Sequence, residues 1–391
     1  MKHLALILGA LLLSACSIAP LAPPPDDLFA DHLFQAADDQ IPTEAIFALT
    51  PAMKDYAASV SRTMRRSEAQ QALFDALYKR DQLQLDYDSA VTRTAAQAFE
   101  SRMGNCLSLV IMTAALAREM GMEVKFQNVI SGTTWSRSGD IYFNSGHVNV
   151  VLGSHRSLSD QGFGYYRSRV VDFMPVPDSY RKIEEIIDEG TVLAMFMNNR
   201  AAEALAQGKL DNAYRWARRS IETRGDLLQA YNTLAVIYQR HGNLPQAEHV
   251  LRFAMARSPE NVAVMQNLVN LLDQRGQTAE AAMYRQKLAS IDPEPAFHYF
   301  RLGQKAMEEG NYRKAREMFA RELDREPDYH EFHFWYALAS WQLGDYRAAN
   351  EHMKQAEASS TTRKDHELYA GKLDRLRSLQ AQSNKAPRTA N

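Results

Sequence analysis

The chain has 391 residues, enough for two or three domains, and its 46% hydrophobic content suits a globular protein. With 45 basic against 47 acidic residues it has no cationic surplus for gripping nucleic acid, so no nucleic-acid partner is expected. Cys16 and Cys106 are the whole cysteine complement, which rules out a disulfide framework.

Lys2 and His3 precede an apolar stretch, Leu4 to Leu13, broken by Gly9 and closed by Leu13-Ser14-Ala15-Cys16. This is the pattern of a secretory signal, too short for the roughly 20 residues of a membrane-spanning helix. Small residues before the cysteine resemble the bacterial lipobox, which implies loss of residues 1–15 and acylation of Cys16. Several acyl chains anchor more firmly than one. Ser17, rather than Asp, then implies the outer membrane, with the protein facing the periplasm. Residues 16–27, with Pro20, Pro23, Pro24 and Pro25, read as an extended tether. Leu28 to Arg80 reads as short amphipathic helices packed on the domain that follows.

Gly104-Asn105-Cys106 opens an apolar run, Leu107 to Met120, that ends at Gly121 and reads as a helix. Cys106 falls on its first turn, where unpaired amides and the helix dipole favour a thiolate. Met122, Val124, Phe126 and Asn128 alternate with Glu123, Lys125 and Gln127, which is strand periodicity. Gly146 to Leu152 reads as a second strand, with His147 facing away from Val148 and Val150. Arg169 to Phe173 reads as a third, stopped by Pro175 and Pro177. Together the three residue types suit nucleophilic catalysis: Cys106 attacks, His147 moves the proton and Asp172 orients the imidazole. The Cys106 backbone N–H and Asn105 are the oxyanion candidates. His155, in a Gly/Ser-rich loop, ranks behind His147. Aromatics in Ser131–Ser145 (Trp135, Tyr142, Phe143) and Gly153–Ser168 (Phe163, Tyr165, Tyr166) either line an acyl-donor groove or pin these loops down.

The order helix-borne Cys, strand-borne His, strand-borne Asp resembles the transglutaminase-like superfamily, members of the papain-like thiol fold. The stretch from Phe99 through Arg102-Met103-Gly104-Asn105-Cys106-Leu107-Ser108-Leu109 to Gly121 looks like the bacterial branch that couples this domain to tetratricopeptide (TPR) repeats. The resemblance covers about Leu77 to Pro177. It implies a helix that presents the nucleophile to a sheet carrying its His and Asp. Leu107 departs from the Trp that many members carry after the cysteine.

Gly208, Gly242, Gly276, Gly310 and Gly344 recur every 34 residues, with Ala213, Ala247, Ala281, Ala315 and Ala349 in step. Pro259, Pro293 and Pro327 close their units, and Gly225 stands where the first unit would have its proline. Period and pattern resemble the tetratricopeptide repeat: each unit a helical hairpin, glycine in its turn, alanine where the second helix approaches the first. Five units are expected over 195–357. Phe297, Phe300, Phe334 and Trp341 are expected on the concave side, as an aromatic groove for a protein or peptide partner or as a surface docked within the chain. His366 to Leu379 reads as a capping helix and 380–391 as a disordered tail.

The expected fold is an α+β, thiol-protease-like (transglutaminase-like) domain over 28–190, followed by an all-α TPR solenoid. No phosphate-binding glycine loop appears, and His330-Glu331-Phe332-His333 lacks further ligands, so neither a cofactor nor a metal is expected. The expected function is that of a lipid-anchored periplasmic cysteine enzyme, forming a thioester from an amide on a partner that its repeats recruit. The alternative is a catalytically silent TPR scaffold of the cell envelope.

Overall fold

The computed structural model describes residues 24–36, 41–62, 69–78, 83, 85–131, 135–138, 141–144, 147–153, 168–173, 182–360 and 363–385. The signal, Cys16, most of the tether and His155 lie outside these residues, as does the aromatic loop 154–167.

The N-terminal part contains α1 (Pro51–Arg62), α2 (Ala69–Tyr78), β1 (Asp86–Tyr87), α3 (Ala95–Ser101), β2 (Met103–Gly104) and α4 (Cys106–Glu119). It continues with β3 (Glu123–Ser131), β4 (Trp135–Ser138), β5 (Ile141–Asn144), β6 (His147–Gly153), β7 (Arg169–Val171) and β8 (Lys182–Ile187). Leu107 through Ala117 are all buried, so α4 is apolar on every side and runs through the middle of this part. β7, β6, β3 and β8 form one antiparallel sheet in that order, with Val129 opposite His147 and Glu123 opposite Gly153. β1 and β2 pair in parallel, and β4 and β5 form a separate hairpin. That hairpin lies in the segment expected to be an aromatic loop, and β8 has no counterpart in the sequence reading. Both are corrections: β4 carries few β-branched residues, and Glu184 and Glu185 disguise β8.

Five helical hairpins follow: α5 (Glu189–Ala206) with α6 (Leu210–Thr223), α7 (Leu228–His241) with α8 (Leu244–Arg257), and α9 (Val262–Gln274) with α10 (Thr278–Ile291). The last two are α11 (His298–Glu308) with α12 (Tyr312–Arg325) and α13 (His330–Gln342) with α14 (Tyr346–Ala358). Each intrahairpin turn holds one glycine at φ between 71° and 91°, with nothing within 4 Å of where a Cβ would sit. Its task is therefore the left-handed turn and not close packing. The alanines do the reverse: Ala213, Ala247, Ala281, Ala315 and Ala349 are all completely buried, which lets the second helix approach the first.

The array is interrupted between its third and fourth hairpins. Helices α9 and α13 open at Val262 and His330, so the 34-residue period would open α11 at Ala296, yet it opens at His298. Proline at 293 and 295 disfavours a helical backbone in the residue before each, and Phe297 takes a left-handed φ of 60°. Such a backbone is costly for a bulky residue, and the burial of its ring among Phe300, Tyr329 and Phe332 offsets that cost. The apolar interior divides here as well. The first three hairpins share one continuous core with the N-terminal part; beyond them one cluster fills the fourth hairpin and the start of the fifth, and another joins the fifth to the helix that follows it.

Residues 28–36, expected on the domain that follows, pack on the repeats, and Asp27 of the tether meets His249 there as well. Phe34 stacks on Tyr214 of α6 at 4.0 Å, and the Tyr238 hydroxyl accepts from Ala30 N and donates to Leu28 O. Asp31 meets Arg215 and Arg218, and Arg215 also donates to the carbonyls of Phe34 and Gln35. No sequence period marks this strap, because its partners lie some 180 to 210 residues away.

Helix α15 (Arg363–Lys385) covers the end of the array with Tyr369, Leu373 and Leu376. It continues through residues 380–385, expected to belong to a disordered tail, and Leu368 on it is 45% exposed.

Candidate functional site

Asn105 caps α4: its Oδ1 accepts from Ser108 N at 2.9 Å and from Ser108 Oγ at 2.7 Å. Cys106 is thereby the first helical residue, half-exposed, at the positive end of the helix dipole. Gly104 is required for this start, since a Cβ there would stand 2.7 Å from the Ser108 Cβ.

His147 opens β6 at a buried position, and Asp172 follows the last residue of β7, the neighbouring strand. The sheet brings the two together: His147 Nε2 lies 2.7 Å from Asp172 Oδ1, with side-chain exposures of 5% and 22%. Cys106 neighbours the same ring closely enough to raise its proton affinity. Burial alone would depress the proton affinity of His147, but its bond to Asp172 and its contact with Cys106 outweigh burial and raise the pKa to about 9. At neutral pH the ring is an imidazolium between a carboxylate and a sulfur. Cys106, His147 and Asp172, from three separate elements, thus form one constellation.

The Asn105 side chain, an oxyanion candidate by its position, is engaged within the chain. Its Oδ1 holds Ser108, its Nδ2 donates to Thr92 Oγ1 at 2.7 Å, and the residue is 8% exposed. The capping need of the helix claims the side chain that sequence position had offered to the substrate. Tyr87 is a further neighbour that the sequence reading missed. Burial, and then the adjacent sulfur, push the pKa of its hydroxyl far up. A two-residue strand carries no periodic signal from which Tyr87 could have been found. Trp135, Tyr142 and Phe143 have side chains outside the described residues.

The aromatic groove expected in the repeats needs correction. Phe297 and Phe300 are 2% and 0% exposed and form the interior between the fourth and fifth hairpins with Phe319, Phe332 and Trp335, so neither offers a ring to a partner. Five aromatics packed together bury more apolar area against one another than a solvent-facing groove would. Phe334 packs on Tyr369 of the capping helix at 5.1 Å, and Trp341 meets Tyr346 edge-on at 4.6 Å. Nearby, His333 Nε2 is bonded to Pro327 O, while its Nδ1 lies 2.9 Å from His352 Nδ1. Among the described residues no group of three or more His, Cys, Asp or Glu could hold a metal ion. Nor is any described helix long and apolar enough to cross a membrane.

A tetratricopeptide repeat family model matches residues 232–294 and 300–362, and the two matches flank the interruption before α11. The chain carries TPR repeats. Solved structures with similarity include a thermophilic TPR protein of Thermus thermophilus, at 18% identity, covering 46% of this chain and 97% of that one with a TM-score of 0.32. YrrB, a TPR protein with an unusual peptide-binding site, shares 19% identity over 46% of this chain and 92% of its own, with a TM-score of 0.25. A MamA structure shares 17% identity over 44% and 93%, also with a TM-score of 0.25. No curated protein matches the chain.

Proposed function

We propose that this chain is an adaptor of the cell envelope, its TPR array recruiting a protein or peptide and a lipid on Cys16 holding it to the outer membrane on the periplasmic side. The observation that carries the first part is the run of five helical hairpins, much of which the repeat family model matches. No hairpin buries its apolar face alone, so stacking makes the core and leaves an extended surface for a partner. The anchor rests on Leu13-Ser14-Ala15-Cys16.

One specific observation favours a second activity in the same chain: the 2.7 Å contact between His147 and Asp172, with Cys106 a neighbour that raises the proton affinity of the same ring. In this reading the N-terminal part is a transglutaminase-like thiol enzyme. The Cys106 sulfur attacks the carbonyl carbon of a peptide or protein amide, and the tetrahedral oxyanion collapses with cleavage of the C–N bond. The His147 imidazolium gives its proton to the departing amine and leaves a thioester on sulfur. Water or a second amine, deprotonated by the now neutral imidazole, attacks the thioester carbon; the C–S bond breaks, the acid or new amide departs, and the sulfur is left beside the re-formed imidazolium. Asp172 holds the ring and steadies its charge throughout.

Capture of partners on the full chain, with and without Cys106→Ala, separates the two readings. Equal partner capture and an unchanged phenotype support the adaptor alone. An acyl adduct on Cys106, seen by mass in the unmodified chain during exposure to captured partner and lost in Cys106→Ala, supports the enzyme.

A further inference from the structure

The capping side chain beside the nucleophile is itself held by the first repeat. Asn105 Nδ2 donates to Thr92 Oγ1 at 2.7 Å, and the Thr92 backbone N–H donates to Glu203 Oε1 at 2.6 Å. Glu203 belongs to α5, the opening helix of the TPR array, and its other oxygen accepts from Arg200 at 3.0 Å. A parallel strand of bonds runs from Arg93 N to Ser108 Oγ at 2.8 Å, and Ser108 returns to Asn105. Thr92 is 1% exposed and Ser108 is completely buried, so water cannot substitute for these partners. The Glu203 carboxylate, its side chain 15% exposed, has lost much of its hydration and depends on the bonds from the Thr92 amide and Arg200, which ties the Thr92 segment to α5.

We propose that Glu203 is a positioning residue for Cys106: through Thr92 it fixes the Asn105 side chain, and through that cap the first turn of the helix that presents sulfur to His147. The inference rests on the reading of Cys106, His147 and Asp172 as a working thiol site. It makes the first repeat helix a structural part of that site, so that strain applied to the array reaches the nucleophile through three hydrogen-bonded side chains.

The test is the rate of iodoacetamide alkylation at Cys106 in the full chain, read by peptide mass at neutral pH. The unmodified chain reacts faster than His147→Ala. Glu203→Ala and Thr92→Val each slow the reaction about fivefold, the worth of one ordinary hydrogen bond. Glu203→Gln keeps an acceptor for the Thr92 amide, and Thr92→Ser keeps one for Asn105, so both rescue the rate. The double variant is no slower than the slower single, because both changes break one chain of contacts. Additive losses, or a Glu203→Ala rate equal to the unmodified one while His147→Ala still slows it, overturn the positioning role and spare the thiol site. A rate indifferent to His147→Ala overturns both. Should Glu203→Ala fail to fold, Thr92→Val against Thr92→Ser decides, since the valine retains both shape and backbone N–H.

Discussion

Replacing Asp172 by asparagine should remove the charge that keeps His147 protonated. A histidine in an unfolded chain titrates near 6.5, whereas His147 is raised to about 9 despite its burial. The sign follows from that direction. The contribution to stability is fully present below about 6.5 and is lost as the pH rises through about 9, where the folded ring gives up its proton. At 1.36 kcal/mol for each pH step the gap amounts to about 3 kcal/mol in favour of the folded imidazolium. In Asp172→Asn the amide oxygen still accepts a bond but brings no charge. Burial then dominates, and the ring should titrate at or below the ordinary histidine value. Cys106→Ala should lower it less, because the Asp172 bond is the larger of the two raising influences. The ring proton shift of His147, followed by NMR from pH 5 to pH 10, measures all three chains. An unmodified His147 titrating at 6.5 or lower, or an Asp172→Asn chain titrating like its parent, would refute the reasoning.

Phe34→Ala should cost about 3–5 kcal/mol in denaturant unfolding, since it empties a position 6% exposed and stacked on Tyr214; a loss below about 1 kcal/mol would mean that the strap does not hold to the repeats. Gly303→Ala should cost about 1–3 kcal/mol, because its Cβ would lie 2.5 Å from the Phe319 ring, and pairing it with Phe319→Leu should recover part of the loss in thermal melting. Burial and the neighbouring His333 lower the pKa of His352 to about 4, so the last hairpin should lose stability as the pH falls from about 6.5 towards 4; amide exchange on α13 and α14 reports this, and His352→Gln should flatten the dependence.

The repeats were legible because their information is local. A glycine and an alanine recur every 34 residues, and each acts within its own hairpin, one in the turn and one at the helix contact. The helix that carries Cys106 was legible for the same reason: Asn105 caps it three residues before Ser108, and Gly121 closes it. His147 and Asp172 were found as separate strand residues, and β-strand alternation together with a familiar chain order sufficed to pair them. The fate of Asn105 was not legible, because the atoms that claim its amide belong to Thr92 and, through it, to Glu203 of a repeat helix.

Phe297 and Phe300 show the same limit. Their spacing within a repeat says which helix they occupy, but Pro295 delays that helix, and the ring contacts with Tyr329 and Phe332 then take them inside. By itself the sequence determined the hairpins, their number and the helix that carries Cys106, since turn chemistry and periodic burial act over a few residues. Only the tertiary structure decided the strap on α6, the interruption before α11, the 2.7 Å meeting of His147 with Asp172 and the loss of Asn105 to a cap. Each of these depends on atoms far apart in the chain, whose meeting is settled by competition for buried space and hydrogen-bond partners and leaves no periodic trace in the residues themselves.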